Sequence, residues 1–243
     1  MTTIIIEPSR RKGEPSLAGP VLFWVNPGDT PFIISAANDR NGLRHFLFHG
    51  NLLEIPGPHT PSYWAGPALG APAAVLALEK LIALGAKNIV VYGWCGSLTS
   101  TLRAEQIFLP TWAKSEEGTS AHYPGPSPSG SDDKLRNQLA DFLTTSGYSV
   151  QQGPIWTTDA PYRETKDKVD NFAGQGIMAV DMEFSALCRV ASFRRVNLAA
   201  VMLVSDELWH DKWLAAFQQK SFKKLSRRIF LDLAGRLEKN FND

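Results

Sequence analysis

The chain is short of the features that would settle its character at a glance. Its 243 residues contain two cysteines, Cys95 and Cys188, in neither a CxxC pair nor a metal-ligand spacing. A disulfide framework and a thiolate metal site are therefore excluded as organising elements. No apolar run approaches the length of a membrane-spanning helix. Lys and Arg number 25 against 24 Asp and Glu, a net charge of +1, so bulk electrostatics select no polyanion. Neither a membrane nor a nucleic acid is an expected partner. The opening residues, MTTIIIEPSRRKGEP, put their charges after the apolar stretch, the reverse of a secretory signal, and a cytoplasmic location is expected. His45 and His49 are four apart, but Phe46-Leu47-Phe48 between them reads as strand, so a structural role is expected rather than a metal site. Without an internal repeat or a clear linker, residues 1–243 read as one domain.

What is present is an alternation of strands and helices. Residues 20–25 and 32–35 are apolar runs around the turn-rich Asn26-Pro27-Gly28-Asp29. Short strands are expected at 45–49 and 52–55, then a Pro- and Gly-rich loop over 56–72. A helix over 73–84 stops at Gly85, and NIVVY (88–92) is a buried strand entering Gly93-Trp94-Cys95-Gly96-Ser97. A weak strand at 107–109 precedes a polar loop over 114–130, a helix over 133–146, a strand at 149–152 and a helix over 164–173. GIMAV (176–180) is a buried strand, NLAAVMLV (197–204) a longer one, and a final amphipathic helix runs over about 212–239. The pattern predicts an α/β fold, one domain with a central mixed, mostly parallel sheet flanked by helices.

AVDMEFSAL (179–187) organises the candidate site. Ala186, Leu187, Val190 and Ala191 follow Glu183 at helical spacing, so Glu183 heads an inward-facing stripe. Placed straight after a strand, its carboxylate lies near the carboxyl edge of a parallel sheet, where open α/β folds keep ligands. The alternative is an acid that favours the helix N-terminus electrostatically. Two more apolar strands end in polar clusters, YGWCGS after residue 91 and SDE after 204. As sheet neighbours, the three clusters converge. Asp206 then stands at the mouth of an apolar-walled pocket, able to hand a proton to a leaving group, worth typically ~10²–10⁴-fold in rate; its alternative role is a helix N-cap.

From about Gly66 to Phe222 the chain resembles the purine nucleoside phosphorylase and uridine phosphorylase family, which includes nucleosidases acting on methylthioadenosine. The resemblance is carried by LEKLIALGAKNI, the GxCGS turn, EEGTSAHY (116–123), the TTDxxY segment, VDMEFSAL and VSDE, in that order. It implies a single α/β domain assembled as a homo-oligomer, a small nucleoside as substrate, no cofactor, and phosphate as co-substrate. By motif, Glu183 corresponds to the carboxylate holding the ribose hydroxyls, kept ionised, and Asp206 to the acid that protonates N7 of a departing purine. Met182 matches the residue under the sugar, Val180 one lining the base, Cys95 and Gly96 the turn beside the base, and Tyr162 an aromatic near the nucleoside.

The chain departs from the phosphorolytic pattern at the anion site. Where those members carry an arginine and a hydroxyl residue around the GxCG turn, this sequence has Val91 and Trp94, and the loop at 26–32 has no arginine. Arg163 is the first expected substitute, with Arg40 and Arg44 available to a neighbouring subunit. The expected reaction is phosphorolysis of a purine-type nucleoside. The alternatives are a hydrolytic nucleosidase and a nucleoside-binding protein without turnover. Cys95 has no histidine partner by motif and reads as a wall residue. Lys220, Lys223, Lys224, Arg227 and Arg228 form a basic face on the last helix, read as a solvated stripe. Trp209, His210 and Trp213 form either a lid on the base or packing for that helix.

Overall fold

The two most apolar runs of the sequence become neighbouring parallel strands at the centre of the molecule. The structure, a computed structural model, describes residues 4–58 and 60–239. In chain order these form β1 (Val21–Trp24), α1 (Thr30–Asn38), β2 (Leu43–Leu47), β3 (Gly50–Ile55), β4 (Ser62–Gly66), α2 (Ala71–Ala83) and β5 (Asn88–Ser97). Then come β6 (Ile107–Ser115), β7 (Ser129–Gly130), α3 (Asp133–Thr145), β8 (Val150–Thr157), α4 (Lys166–Gly174), β9 (Ala179–Asp181) and α5 (Phe184–Arg194). β10 (Asn197–Glu207), β11 (Leu214–Ala215) and α6 (Lys220–Glu238) complete the chain. The result is a single-domain α/β fold with a mixed sheet flanked by helices.

The sheet runs β11-β10-β6-β8-β9-β5-β1-β4-β3-β2, and β10 also pairs with β5. Strands β5, β10, β6, β8 and β9 therefore close into a ring, while β1 to β4 extend from β5 as an open wing. Pairing is parallel where β5 meets β1 and β10, and antiparallel in the β2-β3-β4 meander and where β5 meets β9.

Alternation along the strands sends side chains to opposite faces. Val21, Phe23, Val91, Ala200 and Met202 pack against Leu78 and Leu81 of α2 and Leu187 and Val190 of α5. Leu22, Trp24, Val90, Tyr92 and Val201 pack against Leu139 of α3 and Ile229, Phe230 and Leu233 of α6. Phe230 is met edge-on by Trp24, Trp64 and Tyr92 at centroid distances of 6.2, 5.2 and 6.0 Å. Both cysteines are buried and free. Among the described residues, no helix is long and apolar enough to cross a membrane.

Several elements depart from the sequence expectation. The run 32–35 lies in α1, where Pro31 suits the first turn and Ile33, Ala36 and Ala37 bury one helical face. The loop expected over 56–72, of which residue 59 lies outside the described residues, contains β4, held by β1 and β3. The last helix begins at Lys220 rather than near 212, because 214–215 pair with the end of β10. β5, β6, β8 and β10 all run several residues past their apolar cores, and the 176–180 strand is confined to Ala179–Asp181. Those polar extensions carry the site.

Candidate active site

Gly96, near the end of β5, pairs on one side with Val180 of β9 and on the other with Asp206 of β10. At strand spacings of about 4.8 Å, this brings the 180–183 segment and Asp206 to either flank of one glycine. The register of β10 shifts between Val204 and Asp206, a bulge that re-aims the acid. Glu183 and Asp206 both line a single cavity of about 690 Å³. Val180, Met182, Cys95, Gly96, Trp94 and Tyr162 line it too.

Glu183 sits at the head of α5, 3% exposed, and its Oε1 accepts the backbone N–H of Gly70 at 2.6 Å. Its side chain does not cap the helix. Asp181 does so instead, accepting from the N–H groups of Glu183 and Phe184 at 3.1 and 2.6 Å and from the Thr157 hydroxyl at 2.6 Å. Glu183 is thus free of the helix-terminal role that the sequence left open. The sequence reading has it ionised, whereas its surroundings favour the protonated form. Burial, reinforced by the charge of Asp181, pushes its carboxyl up to about 8.

Asp206 lies within β10, not at a helix start, which removes the N-cap alternative. The Trp213 indole N–H donates to its Oδ2 at 2.7 Å, and the Ser205 hydroxyl to its Oδ1 at 2.5 Å. Glu207 turns away, bonding the Ala104 N–H at 2.9 Å and His210 Nε2 at 2.7 Å. Trp213 and His210 line the cavity, whereas Trp209 stacks under Arg103 at 4.5 Å. The three aromatics therefore divide between cavity wall and packing.

The position where the resemblance implies a hydroxyl residue is occupied by the aromatic Trp94. Trp94 packs edge-on to Phe222 at 5.0 Å and donates its indole N–H to Ser226 Oγ at 3.2 Å. A β-carbon at Gly28 would stand 3.0 Å from that indole, so Trp94 closes on the Asn26–Asp29 loop. Val91 is fully buried among apolar neighbours. Of the arginines expected to substitute, Arg163 is exposed and lies off the cavity wall, Arg40 pairs with Glu238 at 3.8 Å, and Arg44 is exposed. Among the described residues no arginine lines the cavity, whose charged wall is mainly Glu164, Asp181, Glu183, Asp206 and Asp211. On the basic face of α6, Arg227 pairs with Asp29 at 3.1 Å and Arg228 with Asp232 at 3.8 Å.

Asp181 and Glu164 were not singled out from sequence. Asp181 was visible only as part of the VDME string. Glu164 read as the start of a helix, whereas α4 begins at Lys166, capped by Thr165. Cys95 is buried with its thiol pushed well up by burial, which suits a wall and not a nucleophile. His45 bonds Glu54 at 2.8 Å across the β2-β3 pair.

Comparison with known proteins identifies the family. A model of the phosphorylase superfamily matches residues 41–232. A DeoD-type purine nucleoside phosphorylase of Bacillus cereus is 30% identical over 173 residues, 70% of this chain and 73% of the relative. One from Bacillus thuringiensis (strain Al Hakam) is 29% identical over the same length. The fold is similar to that of Toxoplasma gondii purine nucleoside phosphorylase in complex with immucillin-H, with a TM-score of 0.79, 20% identity and coverage of 99% and 100% of the two chains. Uridine phosphorylase of Vibrio fischeri ES114 gives a TM-score of 0.75 at 18% identity, covering 90% and 92%. The chain belongs to the phosphorylase superfamily, among the nucleoside phosphorylases, and is an enzyme that acts on nucleosides.

Proposed function

We propose that the enzyme cleaves the N-glycosidic bond of a purine-type nucleoside by phosphorolysis, releasing free base and ribose 1-phosphate. The observation that carries this reading is the pair of carboxyls, Glu183 and Asp206, on one cavity wall to either side of Gly96. As the bond breaks, its electron pair leaves with the base and positive charge builds on the ribose. Asp206 faces the base and delivers the proton that neutralises it, which suits a purine. Glu183 takes hydrogen bonds from the ribose hydroxyls; donors of this kind favour its ionised form, so sugar binding draws its proton off. The carboxylate then favours the cationic ring. Met182 lies under the sugar, Val180, Cys95 and Gly96 line the base, and Tyr162 stands at the mouth. Phosphate as nucleophile is supported by the names of the curated relatives.

A second reading, hydrolysis by water, is favoured by Trp94 closing on Gly28 and by the cavity's acidic wall. An unpaired buried phosphate costs several kcal/mol; the cation on the cavity wall is Lys166, already paired with Asp170, so phosphorolysis calls for a further cation, which a neighbouring copy in a homo-oligomer would supply. We take residues 1–243 as one domain acting in the cytoplasm, needing no cofactor. The test is incubation of inosine, adenosine and uridine with and without phosphate. Phosphate-dependent ribose 1-phosphate from the purines is expected. Free ribose made equally well without phosphate transfers the assignment to hydrolysis, and preference for uridine removes the purine.

A further inference from the structure

The basic face of α6 lines a second cavity, of about 610 Å³, which shares no residue with the active-site cavity. Its apolar lining is Phe32 of α1 and Leu231 of α6. Lys220, Lys223, Lys224, Arg227 and Arg228 line it at helical spacing on one face. At 1.5 Å of rise per residue these cations extend about 12 Å along the helix.

The cations are held in two different ways. The arginines are anchored. Arg227 lies over the Phe32 ring at 5.2 Å, and buried Asp29 holds its Nε at 3.1 Å, so its two terminal nitrogens have no hydrogen-bond partner among the described residues. Arg228 lies over the Tyr148 ring at 5.7 Å and pairs with Asp232 at 3.8 Å. The lysines are not anchored. Lys220, Lys223 and Lys224 are exposed, and among the described residues their ammonium groups have no hydrogen bond or ion pair. Lys220 and Lys223 also stand in the first turn of α6, which holds no acid, so their charge opposes the helix dipole.

We propose that this cavity binds a nucleoside polyphosphate, its phosphates on the three lysines and Arg227 and its base against Phe32 and Leu231. Charge complementarity carries the assignment. Asp29 and Asp232 offset the two arginines, which leaves three lysines without a counter-charge, and a triphosphate supplies a matching number. A row of cations about 12 Å long reaches several phosphates rather than one. The planar fork of Arg227 suits phosphate oxygens, and the buried acid behind it fixes its orientation. The apolar lining has no use for a purely inorganic anion, and the volume lies within the range of small-molecule pockets, roughly 300–1,000 Å³. A recess between α1 and α6 admits a small molecule, whereas a nucleic acid duplex presents a convex backbone.

The proposal does not depend on which bond the active site cleaves, because the two cavities have no wall residue in common. Isothermal titration with ATP, AMP and tripolyphosphate in magnesium-free buffer tests it. One ATP per chain is expected, with AMP and tripolyphosphate each at least ~10-fold weaker, the first for want of phosphates and the second for want of a base. Lys223→Gln/Lys224→Gln should weaken ATP binding at least ~10-fold without moving the urea midpoint, since both side chains are exposed and unpaired. Lys87→Gln/Lys134→Gln removes the same charge from exposed lysines outside the cavity. At about 0.15 M salt, where charges are screened beyond about 8 Å, it should leave ATP binding within ~2-fold of wild type. No ATP binding, an equal loss in the two double variants, or AMP as tight as ATP overturns the site. Tripolyphosphate as tight as ATP overturns the nucleotide. A DNA duplex that binds more tightly than ATP, and loses binding in Lys223→Gln/Lys224→Gln, overturns it in favour of nucleic acid.

Discussion

Gly96 and Asp206 face one another across adjacent strands with no space for a side chain between them. A β-carbon at residue 96 would lie 3.1 Å from Asp206 Oδ2, 3.2 Å from Val180 Cγ1 and 2.4 Å from Leu208 Cδ1. Leu208 can swing aside, but Val180 and Asp206 are fixed by the ladder on either side. Gly96→Ala should therefore displace the acid by a few tenths of an ångström while leaving the fold intact. The expected result is a kcat/KM at least ~10-fold lower, with a stability loss of about 1–3 kcal/mol from overpacking. Steady-state kinetics and urea unfolding read the two effects, and wild-type kcat/KM in the variant would show that Asp206 position does not govern the rate.

The convergence of Glu183 and Asp206 was legible in the sequence because each follows an apolar run that could only be a buried strand, and strand ends meet at one edge of a sheet. The rest was hidden for identifiable reasons. β4 is the short Ser62–Gly66 among prolines and glycines, and its backbone is satisfied by β1 and β3, which lie far from it in sequence. Trp213 read as part of the last helix because residues 212–219 fit its amphipathic pattern. Only the pairing of Asp206 with Ala215 shows that this segment folds back and brings the indole N–H to the acid. Glu164 differs from any surface acid only through its burial, which elements distant in sequence impose. The missing arginine was legible as an absence, but Arg163, the expected substitute, ends an exposed turn and is not on the cavity wall.

Glu183 makes stability depend on pH in a definite sense. In the unfolded chain it ionises near the ordinary value of 4.5, whereas the folded chain keeps the proton until about 8. Its contribution is full below 4.5 and is lost as pH rises through that window, with a slope of up to about 1.4 kcal/mol per pH unit. Glu183→Gln keeps an acceptor for the Gly70 N–H and has nothing to ionise. The urea midpoint of wild type should fall more steeply between about pH 5 and about pH 8 than that of the variant. Glu164, which burial pushes up to about 8 as well, acts in the same sense in both proteins, so the difference between the curves belongs to Glu183. Parallel curves would place the Glu183 proton elsewhere.

Asp181 couples the helix cap to the sugar-side carboxyl. Burial pushes its own carboxyl up to about 6 against the pull of Thr157, Phe184 and Glu183 as donors. Asp181→Asn leaves an acceptor for the α5 N-terminus, so the stability cost should stay near ~1 kcal/mol. It also removes the negative charge beside Glu183, which should then titrate below its wild-type value of about 8. The inflection in the pH dependence of nucleoside KM is expected to move to lower pH while kcat changes less. An inflection that stays in place would separate the two carboxyls electrostatically.

Ser226 on α6 is the hub that seats Trp94 and the Asn26–Asp29 loop. Its hydroxyl donates to buried Asp29 Oδ2 at 2.6 Å and accepts the Trp94 indole N–H at 3.2 Å. The Tyr92 hydroxyl lies 2.9 Å from both Ser226 Oγ and the Ser226 carbonyl, so its proton has an acceptor without the side chain. Ser226→Ala therefore orphans one end of Asp29 and the indole of Trp94 while creating almost no void. Leaving buried polar groups without partners costs about 1–3 kcal/mol, and Asp29 keeps only the Arg227 contact at 3.1 Å. A urea series should show a loss of this size for Ser226→Ala. Ser221→Ala on the same helix, which gives up only an exposed bond of 2.8 Å to Glu105, should stay within about 0.5 kcal/mol. If the two variants unfold alike, the network is not what holds Trp94 against Gly28, and packing on Phe222 and Phe217 must do so.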